Sequence, residues 1–226
     1  MSAPSDVQTL TPPSKTRHSE IPPIPPVPPG DGGGGDGAGG WESGPPIPAA
    51  KLAMIIFLGS VTMLFIGLLG AYLVLRGGLN PWPPPGMPAR PDGLWGSTGL
   101  ILASSFALVM AGRRLKSGAS GFLGLLVTSG LLGIAFLVVQ VILWQSQFDS
   151  GLFLRNNVYA GVFYLLTGVH FLHVFAGVVY WAVIAFKAKA GAFRPKDHLG
   201  FEVFSLYWHT IGVLWLPLFT AVYLVN

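Results

Sequence analysis

The 226-residue chain contains no cysteine. That absence excludes disulfides, thiolate metal sites, a paired-thiolate copper centre and covalently attached c-type haem, and it leaves no thiols from which to read a redox compartment. Charge is scarce as well: Asp, Glu, Lys and Arg make up 10% of residues, against about a quarter in soluble domains. Apolar windows fall at about 52–75, 94–111, 122–144, 159–186 and 202–225, and the first three hold no charged residue and no histidine. Each is long enough to cross a hydrocarbon core of about 30 Å at about 1.5 Å rise per residue. The sequence therefore predicts an all-α integral membrane protein, a bundle of five transmembrane helices preceded by a different kind of segment.

That segment, residues 1–50, carries twelve prolines and nine glycines, a composition that predicts a disordered tail without a core. Its IPPIPPVPPG run favours extended polyproline II and its GDGGGGDGAGG run a loose tether. No short apolar stretch with a cleavage site lies near Met1, so the first span is expected to act as an uncleaved insertion signal. The net charge of +4 sits in loops beside the spans and reports orientation rather than nucleic-acid binding. Ten Lys and Arg fall on one side, among them Arg113, Arg114, Lys116, Lys187, Lys189, Arg194 and Lys196; the other side has only Arg76, Arg90 and Arg155. The positive-inside bias then places the amino terminus in the cytoplasm and the carboxyl terminus outside.

Lipid gives helices little hydrophobic reason to associate, so close packing depends on small residues. Gly99, Ala103, Ala107 and Ala111 recur every four residues in the second span, Gly67 and Ala71 pair in the first, and Ser129 and Gly133 in the third. These stripes are expected to be the packing faces. Pro217 lacks an amide hydrogen, which predicts a kink in the fifth span.

Ionisable groups inside a bilayer are costly and need a reason. Here they are His170, His173, Glu202 and His209. Two histidines three residues apart share a helix face and cannot clamp one haem iron from opposite sides. His173 lies roughly 20 Å, and His209 roughly 10 Å, from the cytoplasmic ends of their helices by the helical rise. A shared metal is poorly layered in that arrangement, and a carboxylate-bridged di-iron site lacks ligands in the first three spans. Polar bonding between helices, to lipid headgroups or to a neighbouring subunit is the preferred reading, with Tyr207 and Trp208 as further donors. Glu202 would sit near water at the positive end of its helix.

The ordered motifs are also recognisable. FYLLTGVHFLHVFAGVVYW resembles the fourth helix of five-helix forms of cytochrome c oxidase subunit III, and HLGFEVFSLYWHTIGVLWL resembles the matching final helix. KLAMIIFLGSVTMLFIGLLGAYLVLR with PWPPPG, and GIAFLVVQVILW, are similar to the family's first helix and exit and its third helix. The resemblance covers about 51–226. It implies an accessory subunit of a haem-copper terminal oxidase, without a redox centre of its own, in the inner (plasma) membrane of bacterial type. Haem and copper are then expected in partner subunits, subunit I and subunit II, with phospholipid bound between helices and a role in proton uptake and complex stability. His170, His173, Glu202, Tyr207, Trp208 and His209 would belong to its polar interior and its lipid and subunit contacts. Three positions depart from the family pattern: Val61, Leu143 and Gly212 stand where carboxylates are usual. Those departures also fit a subunit III-like protein associated with nitric oxide reductase, or a quinol oxidase subunit. A small proton or solute transporter using the histidines as a relay is the alternative from another class, although the spans show no inverted repeat or pair of broken helices.

Overall fold

The computed structural model describes residues 47–78, 93–152 and 158–221. The tail over 1–46, the PWPPPG segment and the end of the fifth span, 222–225, lie outside the described residues. Five helices follow in order: α1 Ala49–Gly78, α2 Gly93–Ser117, α3 Phe122–Asp149, α4 Val158–Lys189 and α5 Leu199–Phe219. All five are long and apolar enough to cross a membrane. The chain is a multi-pass helical membrane protein. Among the described residues the only β-type pairing is an isolated bridge between Arg194 and Asp197.

Helices α1 to α4 run past the apolar windows. α1 has 30 residues, roughly 45 Å at the helical rise, so its ends stand in or beyond the headgroup layer or the helix tilts. Backbone geometry explains where three helices stop. Gly118, Gly151 and Gly191 follow α2, α3 and α4 with φ of 67°, 93° and 74°, a left-handed conformation that costs glycine little. In each case the next amide reaches back to the final turn: Ala119 N–H to Arg114 O, Leu152 N–H to Gln147 O, and Ala192 N–H to Lys187 O, each at 3.0 Å. These are Schellman closures, which satisfy carbonyls a helix end leaves free.

α2 and α3, joined by a short turn, form the most extensive helix pair. α5 packs against α4, α1 and α2, whereas α3 packs mainly between α2 and α4. α5 is the most enclosed helix and α1 the least. α5 continues through Pro217 to Phe219 and ends in a wider π-type turn over 220 and 221. There the Tyr72 hydroxyl donates to Ala221 O at 2.8 Å, tying the far end of α1 to the last turn of α5.

The packing faces differ from those expected. Ala107 and Ala111 are buried, but Gly99 and Ala103 are exposed, as are Gly67 and Ala71. A side chain added at Gly67 or Gly99 would meet nothing within 4 Å. α2 instead turns Ser97, Thr98, Ile101, Ser104 and Leu108 inward. The reason is that a bilayer accepts Gly, Ala and Leu outside as readily as a core does, so small residues alone do not select a face; the buried face of α2 is the one whose Ser104 hydroxyl bonds across to α3. The third helix does follow its stripe: Ser129, Gly130 and Gly133 are buried.

Candidate functional site

Two polar assemblies stand out, one in the middle of the bundle and one at its basic rim. The first is built around Trp208. Its indole N–H donates to Ser104 Oγ at 3.0 Å. Ser104 Oγ donates to Ser129 O at 2.7 Å, and Ser129 Oγ donates to Ser104 O at 2.9 Å. The ring can reach this pair because two glycines leave room. A Cβ on Gly133 would lie 2.5 Å from Trp208 Cζ2, and one on Gly177 would lie 3.1 Å from its Cζ3. Gly130 makes similar room for Trp181, whose indole donates to Leu126 O at 2.9 Å. Trp215 donates to Thr98 Oγ1 at 3.0 Å and Trp144 to Thr167 Oγ1 at 3.2 Å. Four tryptophans thus carry hydrogen bonds between helices. Each is worth about 0.6 kcal/mol on average inside a membrane.

The histidines separate. His170 is fully buried, with rings of Phe65, Phe136 and Trp215 at centroid distances of 5.9, 6.1 and 5.0 Å. Neither ring nitrogen has a hydrogen-bond partner among the described residues. His173, half-buried, has Nδ1 2.7 Å from Val169 O, one turn back on its own helix. A carbonyl only accepts, so Nδ1 carries the proton there. Its backbone carbonyl accepts from the Tyr207 hydroxyl at 2.8 Å, linking α4 to α5. Neither histidine is joined by other ligands: no group of three or more His, Asp or Glu able to hold a metal occurs among the described residues.

The rim assembly centres on Glu202, at the start of α5. Its Oε1 lies 2.8 Å from Lys116 Nζ and 3.2 Å from His198 Nε2, and its Oε2 lies 3.5 Å from Lys51 Nζ. One carboxylate thereby joins α1, α2 and the α4–α5 connection. Nothing in the sequence assigns Lys51, Lys116 and His198 to this cluster; a lone carboxylate among positive-inside residues is the available signal. These pairs are partly exposed, so each contributes at most about 1 kcal/mol and is screened by salt. Glu202→Gln should lower stability in detergent by about 1 kcal/mol at low salt and by less at high salt, measured by thermal unfolding. A loss unchanged by salt would point to packing instead.

His209, half-buried two turns below Glu202, has no hydrogen-bond partner among the described residues. The three carboxylate departures lie inside the bundle: Val61 and Leu143 are buried, and a Cβ on Gly212 would stand 3.1 Å from Ser105 Oγ.

Residues 47–226 match the family model described as cytochrome c oxidase subunit III. Similar proteins include the cytochrome c oxidase subunit 3 of Thermostichus vulcanus, 32% identical over 177 residues, covering 77% of this chain and 87% of that one. The Synechocystis protein of the same name is 32% identical over 178 residues, covering 76% and 74%. That of Rattus norvegicus is 31% identical over 182 residues, covering 76% and 68%.

Proposed function

Because the chain belongs to the cytochrome c oxidase subunit III family, we propose that it is an accessory, non-redox subunit of a haem-copper terminal oxidase in aerobic electron transport. It packs beside subunit I, with subunit II in the same complex, in a plasma membrane of bacterial type with its basic rim cytoplasmic. There it binds phospholipid, supports proton uptake and steadies the complex during turnover.

The observation that supports this reading is that the histidines at the middle of α4 are not joined to the charged groups of the rim. His170 is enclosed by aromatic rings, His173 is bonded to its own helix, and Glu202 is paired with cations at the rim. A relay or a redox centre needs such groups within reach of one another. Electron transfer is then the work of partner subunits. Support of proton uptake does not run through carboxylates at 61, 143 or 212, so it acts through the fit of this bundle against its neighbour.

The test is purification from membranes by a tag on the full chain. A haem-bearing subunit should accompany it in fixed ratio. His173→Leu should weaken retention of the complex or its lipid without altering the haem spectrum, whereas a changed spectrum in an intact complex would contradict the assigned role. Recovery of a haem-free chain that conducts protons or solute in liposomes would favour the transporter reading.

A further inference from the structure

The basic rim ends in a cap that is more ordered than its charge requires. It consists of the α2–α3 turn over 118–121 and the α4–α5 connection over 190–198, and aromatic rings hold the two together. Phe193 of the connection meets Phe122 edge-on at 6.3 Å between centroids, and Phe122 meets Phe201 in the same way at 5.4 Å. Pro195 lies over Gly118, where an added Cβ would stand 3.5 Å from its Cγ. Arg114 Nη1 donates to Ser120 O at 3.0 Å, which braces the α2–α3 turn. At the tip, Arg194 N–H donates to Asp197 O and Asp197 N–H to Arg194 O, both at 3.0 Å. These two bonds close a four-residue turn, and the ring of Pro195 fixes φ at its second position. Ordering one residue costs about 1–2 kcal/mol of backbone entropy. The positive-inside bias asks only for charge near a span end and is met by a loose loop, so the fixed shape has another reason.

What the shape fixes is cations. Lys187 and Lys189 close α4 beyond its apolar run, and Arg194 and Lys196 stand in the turn. All four are exposed, as is the carboxylate of Asp197, and none of the five makes an ion pair among the described residues. A hollow of about 720 Å³ lies beside the turn, lined by Gly191, Ala192, Arg194, Pro195, Lys196 and Asp197. No large apolar side chain is exposed between 187 and 198, because Phe193 packs inward against the bundle. A permanent subunit interface has an apolar centre, and a segment that inserts among lipids presents an aromatic or aliphatic wedge. This surface has neither, and it suits reversible association steered by charge.

We propose that the cap is a docking platform for an acidic segment of a water-soluble protein on the rim's side of the membrane. Carboxylates of that segment pair with Arg194 and Lys196, which the closed turn holds at a fixed separation, while its backbone lies in the hollow beside them. Lys187 and Lys189 add attraction from outside the turn. The platform goes beyond the functional reading above and does not depend on it.

The test titrates the full chain, in phosphatidylcholine nanodiscs, into a fluorescein-labelled decapeptide of alternating glutamate and glycine, followed by anisotropy, with the glutamine counterpart as control. The glutamate peptide should bind, more weakly as salt rises, and the glutamine peptide should not. Arg194→Gln combined with Lys196→Gln should weaken binding about tenfold, the effect of two exposed pairs lost together. Lys187→Gln combined with Lys189→Gln removes the same charge outside the turn and should cost less. Pro195→Gly keeps every charge but loosens the turn, and should weaken binding about threefold. All these positions are exposed, so the variants remain folded, as circular dichroism verifies. No binding, equal losses from the two cation pairs, or no effect of Pro195→Gly would overturn the proposal. So would phosphatidylglycerol carried by the purified chain and lost from the Arg194→Gln, Lys196→Gln variant, which would assign the cap to the membrane's own headgroups. The titration is repeated on the tagged native complex, where binding should persist; binding by the chain alone would mean that a permanent neighbour covers the cap, and would overturn it as well. Haem co-purification is scored separately, so failure of the subunit assignment leaves the nanodisc result intact.

Discussion

Gly133→Val should prevent the bundle from closing, with a loss of about 3 kcal/mol or more, the upper range for overpacked sites. Even the first added carbon would stand 2.5 Å from Trp208 Cζ2, well inside van der Waals contact. The indole has nowhere to go, because Gly177 limits it on the α4 side and its N–H is committed to Ser104 Oγ. Moving it breaks the bond that joins α5 to the Ser104–Ser129 pair of α2 and α3. The measurement is the yield of monodisperse protein in detergent together with its thermal midpoint. Combining the change with Trp208→Leu should recover part of the loss, because the two positions share one volume, and the double-mutant cycle should show coupling well above about 0.5 kcal/mol. Additive losses would mean that Trp208 does not fill the space beside Gly133.

His170→Leu should do the opposite and stabilise the fold. An imidazole needs a donor and an acceptor partner, and both its nitrogens are buried without one among the described residues. Leaving a polar group in that state costs about 1–3 kcal/mol, and replacing it with an apolar group of similar size removes the cost. Phe65, Phe136 and Trp215 already surround the position with ring surface that a leucine can touch. The thermal midpoint in detergent should rise, with no change in oligomeric behaviour. A fall would show that the nitrogens are satisfied and that His170 is a polar anchor of the interior, as the sequence suggested.

The contrast between these two sites marks what the sequence made legible. The five spans followed from length and apolarity alone, since only helices satisfy their own backbone in lipid. Their ends are less legible: apolarity stops at 111 in α2 but the helix runs to Ser117, because Arg113, Arg114 and Lys116 extend a helix into the headgroup layer while interrupting its apolar run. The packing faces were less legible. Gly99 and Ala103 formed as regular a stripe as Ser129 and Gly133, but in a bilayer an apolar or small residue is equally at home on either side. Thr98, Ser104, Ser129 and Thr167 lie on buried faces and are bonded inside the bundle, whereas Ser60 and Thr128 bond back to their own helices and stay exposed.

The sequence names polar residues without showing how they group. Trp208 and Glu202 belong to separate assemblies, and their partners come from α1, α2 and α3, helices that looked chemically blank within their apolar windows. Lys51 and Lys116 flank those windows, and Ser104 and Ser129 lie within them as ordinary small residues. Spacing along one helix cannot reveal which residue of another will stand opposite. Trp215, seven residues beyond Trp208, was visible in the motif, yet its bond to Thr98 required the fold.

The central claim is that this chain is an accessory subunit without a prosthetic group of its own. The most direct measurement is iron and copper content with the optical spectrum, taken on the tagged chain first in its native complex and then after mild dissociation. The account predicts haem and copper in the complex and neither with the separated chain. One iron or copper atom retained per chain, and lost on replacing His170 or His173, would contradict it.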